Sequence, residues 1–306
     1  MAIHPEPYVK LPTTSHKTTL ILLHGTSQTG PRFAQSFLAT QFSPPCPSLT
    51  SSSTFQVAHE KVTFPEYYPS CKFVFPTGAP RKTTVFDGRE TNAWFDIADF
   101  GDRTKGETEM IEGIRESSLY LADLIRNEIR LINGEKTGGG EVFLVGFSQG
   151  SAVGLMLLLS GELHRRGVEY GFGGFIGLSG WLPFRRQMEK IIWRKLDGHL
   201  EGRPACDAIT TKREDTVAYV RKLLRLVTAG DQWSPDPNSW NVPLLLGHGE
   251  MDVKVNLEWG LQLNDTLGEL EMDVEFKVYA GLEHWWNEQE VKDVAEFLGS
   301  KWHDTK

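Results

Sequence analysis

The stretch whose reading decides the fold is Glu141-Val142-Phe143-Leu144-Val145-Gly146-Phe147-Ser148-Gln149-Gly150-Ser151-Ala152-Val153-Gly154-Leu155-Met156. An apolar run feeds a serine set between two glycines, G-F-S-Q-G, and a helix-compatible segment follows at once. A nucleophile elbow needs this order of strand, tight turn and helix, because only that geometry exposes a serine oxygen above a sheet edge. The flanking glycines let the strained turn pack closely. The alternative is a structural serine in an ordinary strand-to-helix turn, and the rest of the chain has to separate the two.

Working outward, apolar runs recur: Thr19 to Leu23, Lys72 to Phe75, Glu141 to Val145, Gly174 to Leu178, Val242 to Leu246 and Asp273 to Tyr279. All but one end directly in a glycine-containing turn. Several are continuously apolar rather than alternating, which suits strands buried on both faces of a parallel sheet. Between them lie helical patterns over Glu107 to Ile132, Ala152 to Leu163 and Glu288 to Phe297. Alternating strands and helices predict a doubly wound, mostly parallel α/β sheet. Ligands of such a sheet sit at the carboxyl ends of its strands.

Two stretches read as insertions. Residues 43–54 are rich in Pro, Ser and Thr and read as a loop. Residues 185–240, after the strand ending near Leu178, exceed what one helix requires. They carry two amphipathic patterns: Phe184, Met188, Ile191, Ile192 and Leu196, then Val217, Val220, Leu224 and Val227. They are read as a helical lid or cap inserted within a single domain spanning 1–306.

The 306 residues are enough for a large core, and 40% hydrophobic with 24% charged content is ordinary for a globular chain. A formal charge of -8 without a basic stripe argues against nucleic-acid binding. Neither a signal peptide nor a membrane-spanning run is expected. Three widely spaced cysteines, Cys46, Cys71 and Cys206, point to neither a disulfide framework nor a metal site. A cytoplasmic location is the expectation, with no cofactor and no metal.

A serine hydroxyl needs a base to take its proton, and the base needs an orienting carboxylate. The strand ending at Leu246 is followed by G-H-G-E-M-D, placing Asp252 in a strand-following loop. The strand ending at Tyr279 is followed by A-G-L-E-H-W-W, placing His284 likewise. The order Ser148, Asp252, His284 is the one an α/β-hydrolase uses. Rivals fit less well. His24 comes too early for the base, His303 lies in the terminal tail, and His248 at its strand end reads as ordering the turn around Asp252. Asp231 and Asp236 fall in the insertion, where no strand end presents them. Two backbone amides must also receive the developing oxyanion: Gln149 follows the nucleophile, and Thr26 lies in the glycine loop after the first strand.

With those residues in hand, the sequence resembles the acyl-protein thioesterase / lysophospholipase-like carboxylesterases of the α/β-hydrolase superfamily. Seven stretches carry the resemblance in family order: L-L-H-G-T-S-Q-T-G, F-V-F-P-T-G-A-P-R, N-A-W-F-D-I, G-F-S-Q-G, G-L-S-G-W-L-P, G-H-G-E-M-D and Y-A-G-L-E-H. The resemblance implies a cofactor-free serine hydrolase of carboxylic esters or thioesters, with Ser148 as nucleophile, His284 as base and Asp252 as orienting acid. It also implies a pocket near Trp94, Phe95 and Trp181, with core packing the alternative for these aromatics. The sequence departs from the family in Thr26, where a leucine is usual, and in Trp285-Trp286 where a serine is usual; Trp285 is expected to narrow the acyl path. The implied substrates are a lipidated protein, a lysophospholipid or a small ester. An esterase for a small metabolite, with a pocket shaped by the lid, and a non-catalytic ligand-binding protein are the alternatives. Oligomeric state is open.

Overall fold

The computed structural model describes residues 3–44, 60–134, 141–168, 170–193, 205–227 and 242–301. Most of the 43–54 stretch, Cys46, Asp231, Asp236 and His303 lie outside them. The first part of the chain forms β1 (Tyr8–Lys10), β2 (Thr18–Leu23), α1 (Gly30–Ala39), β3 (Gln41–Phe42), β4 (Val62–Thr63), α2 (Phe64–Tyr67) and β5 (Cys71–Phe75). A hairpin of β6 (Pro80–Thr83) and β7 (Arg89–Asn92) then leads to the long α3 (Glu107–Asn133). The central run is β8 (Glu141–Phe147), α4 (Gln149–Leu159), α5 (Glu162–Arg165) and β9 (Phe172–Leu178). After α6 (Arg185–Ile192) and α7 (Ala205–Leu223) come β10 (Leu244–Gly249), α8 (Leu257–Glu269), β11 (Val274–Tyr279) and α9 (Glu288–Lys301).

Among the described residues, seven strands form one sheet in the order β1-β5-β2-β8-β9-β10-β11. All pairings are parallel except β1 with β5 at the edge. The expected doubly wound, mostly parallel sheet is therefore present. Its continuous apolar strands are explained by a core on each face. Ile21, Leu23, Val142 and Leu144 pack on one side with α3 and α4, while Leu20, Leu22, Phe143 and Val145 pack on the other with α1 and α9. Successive side chains on a strand point to opposite faces, so both members of each pair must be apolar.

α4 shows the same logic in a helix. Every residue from Gln149 to Leu159 is buried, because α3 and α7 cover the side that the sheet does not. Gly161, with φ 64°, ends this stretch, so the single helix predicted over Ala152 to Leu163 is two, α4 and α5. α3 carries Glu107 and Glu109 in its first turn and Arg130 in its last, complementing the helix dipole, and Gly134 closes it.

The described part of the 185–240 insertion packs into the core. Met188 and Ile192 of α6, with Val217 and Val220 of α7 and Leu224 beyond it, join the cluster that holds α4. Arg221 seals the junction with hydrogen bonds to the Ser160 carbonyl oxygen and to Glu162. Of the two helices, α7 lies on α4, and α6 packs against α7 and α8. Residues 194–204 and 228–241 lie outside the described residues.

Candidate active site

The turn at Ser148 is built from glycines that nothing larger could replace. A Cβ on Gly146 would meet the Gly150 carbonyl carbon and oxygen at 2.5 Å, and one on Gly150 would meet the Leu23 carbonyl oxygen at 2.4 Å. With the chain pressed this close, Ser148 takes φ 54° and ψ −116°, a left-handed conformation costing about 1–3 kcal/mol for a residue with a side chain. The strain is held by neighbours on both sides. The Ser148 amide donates to the Leu178 carbonyl oxygen at 2.8 Å, and its carbonyl oxygen accepts from Ala152 at 3.1 Å.

Asp252 and His284 reach Ser148 from two loops laced together after adjacent strands. The Glu250 amide donates to Tyr279, and the Met251 amide to Leu282, at 3.0 and 2.9 Å. Gly249 lets the loops touch, since a Cβ there would sit 2.3 Å from the Leu282 oxygen. His284 Nδ1 lies 2.6 Å from Asp252 Oδ2, and its Nε2 lies 3.0 Å from Ser148 Oγ. Asp252 Oδ1 accepts from the Lys254 and Val255 amides, each at 2.9 Å. Burial pushes the Asp252 carboxyl upward, but the His284 bond and these amides outweigh it, and the group sits below its ordinary pKa. An ionised Asp252 leaves Nδ1 of His284 as donor and Nε2 as acceptor toward the serine hydroxyl.

The rival histidines are occupied elsewhere. His248 Nε2 pairs with the Val255 carbonyl oxygen at 2.8 Å, and burial lowers its pKa, so it braces the turn whose amides hold Asp252. His24 is fully buried, with Nδ1 against the Gly25 carbonyl oxygen and Nε2 accepting from the Gly78 amide. Burial lowers its pKa to about 4, consistent with a neutral ring that shapes the first glycine loop. His303 lies outside the described residues.

Ser148 and His284 open into a cavity of about 490 Å³, also lined by Thr26, Ser27, Phe86, Phe100, Arg103, Phe147, Val253 and Trp285. Thr26 is thus among the residues that line the cavity. Gln149 opens α4, so its amide has no acceptor within the helix. Trp285, 37% exposed, lies at this cavity, stacked on Trp286 with ring centroids 4.0 Å apart.

The other three aromatics lie off this cavity. Trp94 and Phe95 are completely buried, and neither lines the cavity. Trp94 Nε1 donates to the His24 carbonyl oxygen, and its amide donates to Gln149 Oε1. Gln149 Nε2 in turn donates to the Phe95 carbonyl oxygen at 2.7 Å. The pair is a clamp joining the turn at Ser148 to the first glycine loop. Trp181 lines a neighbouring cavity with Arg185, Arg186 and Trp259. Sequence reasoning missed Phe147, although it occupies the variable position before Ser148. Its ring lies 5.0 Å from the His284 ring and 5.4 Å from that of Trp285.

A model of the phospholipase/carboxylesterase family matches residues 50–195 and 227–302, well over half of the chain. The chain belongs to this family. It is 25% identical to acyl-protein thioesterase 1 of Gibberella zeae over 95% of this chain and 94% of that one. It is 22% identical to acyl-protein thioesterase 1 of Candida albicans, over 93% and 92% of the two chains. The crystal structure of Zea mays acyl-protein thioesterase 2 superposes with a TM-score of 0.61 at 22% identity, covering 97% of this chain and 98% of that one. That last likeness is one of fold, the α/β-hydrolase fold. Family membership makes the chain a hydrolase of ester-type acyl bonds. Among the described residues, no helix is long and apolar enough to cross a membrane.

Proposed function

We propose that the chain cleaves carboxylic esters or thioesters through a covalent acyl-serine intermediate. Ser148 is the nucleophile, His284 the general base and then acid, and Asp252 the carboxylate that fixes the imidazole. The observation that carries the reading is the unbroken relay of contacts at 2.6 and 3.0 Å from Asp252 through His284 to Ser148.

In the first step Oγ attacks the acyl carbon while Nε2 takes its proton. The carbonyl oxygen becomes an oxyanion, received by the amides of Thr26 and Gln149. His284 then protonates the leaving alcohol or thiol as the tetrahedral intermediate collapses to the acyl-serine. Water, deprotonated by the same imidazole, attacks the acyl group, and return of the proton to Oγ frees the enzyme. Asp252 stays ionised and stabilises the imidazolium formed in each half. Labelling by a serine-directed fluorophosphonate tests this: one adduct on Ser148, absent after Ser148→Ala, is the expected result. An adduct on another serine, with Ser148 unmodified, contradicts it.

Acyl-protein thioesterases among the relatives make a lipidated protein one candidate substrate, with a lysophospholipid or a small ester the others. Phe86, Phe100, Val253 and Trp285 give the cavity apolar walls that suit an acyl chain. The whole chain is read as one domain working in the cytoplasm. The lid or cap role of 185–240 belongs to this reading, with Arg185 and Arg186 of α6 lining the cavity beside that of Ser148.

A further inference from the structure

Arg103, in the turn before α3, is only 7% exposed. Its Nη2 donates to the Lys254 carbonyl oxygen at 3.0 Å. The guanidinium carbon lies 4.5 Å from the Trp181 ring centroid, 5.2 Å from Phe100 and 5.6 Å from Trp259. Its Nε and Nη1 are buried and have no hydrogen-bond partner among the described residues. Burial draws its pKa down to about 10, against the opposing pull of Asp252 and Asp99.

A guanidinium keeps its charge in a protein, and removing it from water is costly unless an anion and hydrogen-bond acceptors compensate. The three aromatic faces supply part of that compensation. One carbonyl oxygen supplies another part. Asp252 and Asp99 attract the charge without bonding to it, and a brace for the Lys254 turn needs a single donor, which leaves the two spare nitrogens unexplained. Arg103 also belongs to the walls of two cavities. It lines the cavity of Ser148 and His284 and the neighbouring cavity beside Trp181 and Trp259. Besides Arg103, the Ser148 cavity is lined by Lys254, and no Asp or Glu occurs among its lining residues.

We propose that Arg103 binds an anionic oxygen group carried by the substrate, so that the preferred substrates are acidic esters or thioesters. The proposal deepens the acyl-serine reading and rests on it. The anion can belong to the acyl half or to the leaving group, and two probe series distinguish these. One compares p-nitrophenyl hemiesters of succinate, glutarate and adipate with p-nitrophenyl butyrate, valerate and hexanoate. The other compares the butyryl thioester of 3-mercaptopropionate with that of 3-mercaptopropionamide.

The wild type is expected to favour the charged member of one series by about ten- to a hundredfold in kcat/KM, the range for hydrogen bonds to a charged group. The series that shows it identifies the half that carries the anion. Arg103→Gln is expected to bring the charged-to-neutral ratio close to one, and Arg103→Lys to recover part of it. A purely bracing role would lower both members equally in Arg103→Gln and leave the ratio unchanged, which overturns the proposal. So does a wild type that treats charged and neutral members alike in both series, a result that needs no variant to fold. Absence of turnover on every member, with no fluorophosphonate adduct at Ser148, would instead overturn the acyl-serine reading and take the proposal with it.

Discussion

His284 Nδ1 and Asp252 Oδ2 stand 2.6 Å apart, although the two residues arrive on loops after different strands. The other carboxylate oxygen of Asp252 is already held by the Lys254 and Val255 amides. Only one oxygen is left for the imidazole, and it is fixed in direction. Asp252→Asn should keep the two amide bonds and turn an NH2 group toward Nδ1. The ring would then carry its proton on Nε2, the atom that must accept from Ser148. We expect kcat to fall about a thousand- to ten-thousandfold, as for other carboxylates in this role, with the circular dichroism spectrum unchanged. A variant within tenfold of wild type would show that His284 is oriented by something else.

Gly150 touches backbone that cannot yield. In Gly150→Ala the new methyl would meet the Leu23 carbonyl oxygen at 2.4 Å and the Leu23 Cβ at 2.7 Å. Forcing β2 and α4 apart should cost about 1–3 kcal/mol, with the melting temperature falling by roughly 2–4 °C for each kcal/mol. Thermal unfolding checks this, and a variant that melts with the wild type contradicts the close approach of the two elements.

Glu290 gives the stability a pH dependence of known sign. It is fully buried, and neither carboxyl oxygen has a hydrogen-bond partner among the described residues. Burial first, then the nearby Asp293 and Asp252, raise its pKa from 4.5 to about 8. The folded chain therefore keeps a proton that the unfolded chain gives up over this window. The associated stability is complete below pH 4.5 and is lost as the pH rises through 8. Glu290→Gln cannot ionise, so its stability relative to wild type should rise between pH 5 and pH 8.5, by about 1–3 kcal/mol as an order of magnitude. Melting curves at the two pH values measure the difference. A constant difference would mean that Glu290 is ionised in the fold.

Trp285 bounds the cavity at its exposed side, held by its stack on Trp286 and by the edge of Phe147. Trp285→Ala should widen the acyl path and raise the rate on laurate relative to butyrate p-nitrophenyl esters by about tenfold, equivalent to ~1.4 kcal/mol. If the ratio of the two rates stays the same, the indole packs against its neighbours without limiting the acyl chain.

Much of this arrangement was legible in the sequence because it depends on local chemistry. Strands buried on both faces must be apolar at every position, so Leu20 to Leu23 and Phe143 to Val145 announced a two-sided sheet. The glycines around Ser148, and the glycine-rich ends of β10 and β11, marked the loops that bring Asp252 and His284 to it. Periodicity says only that a helix has an apolar face. It does not say what that face meets: α7 meets α4, while α6 meets α7 and α8. The resemblance implied a pocket near Trp94 and Phe95, with core packing the alternative; their hydrogen bonds to His24 and Gln149 join residues far apart in the chain, which no local pattern reveals. Arg103 left no sequence signal at all. Its isolation among Trp181, Phe100 and Trp259 exists only once α3 and α8 are in place.

The most direct test of the central claim is hydrolysis of p-nitrophenyl esters from acetate to palmitate by wild type and by Ser148→Ala, both checked for folding by thermal unfolding. The account predicts turnover by the wild type, with a defined chain-length optimum, and loss of nearly all of it in a folded variant. A folded Ser148→Ala protein that hydrolyses the same esters at a comparable rate would contradict the assignment of Ser148 as the nucleophile.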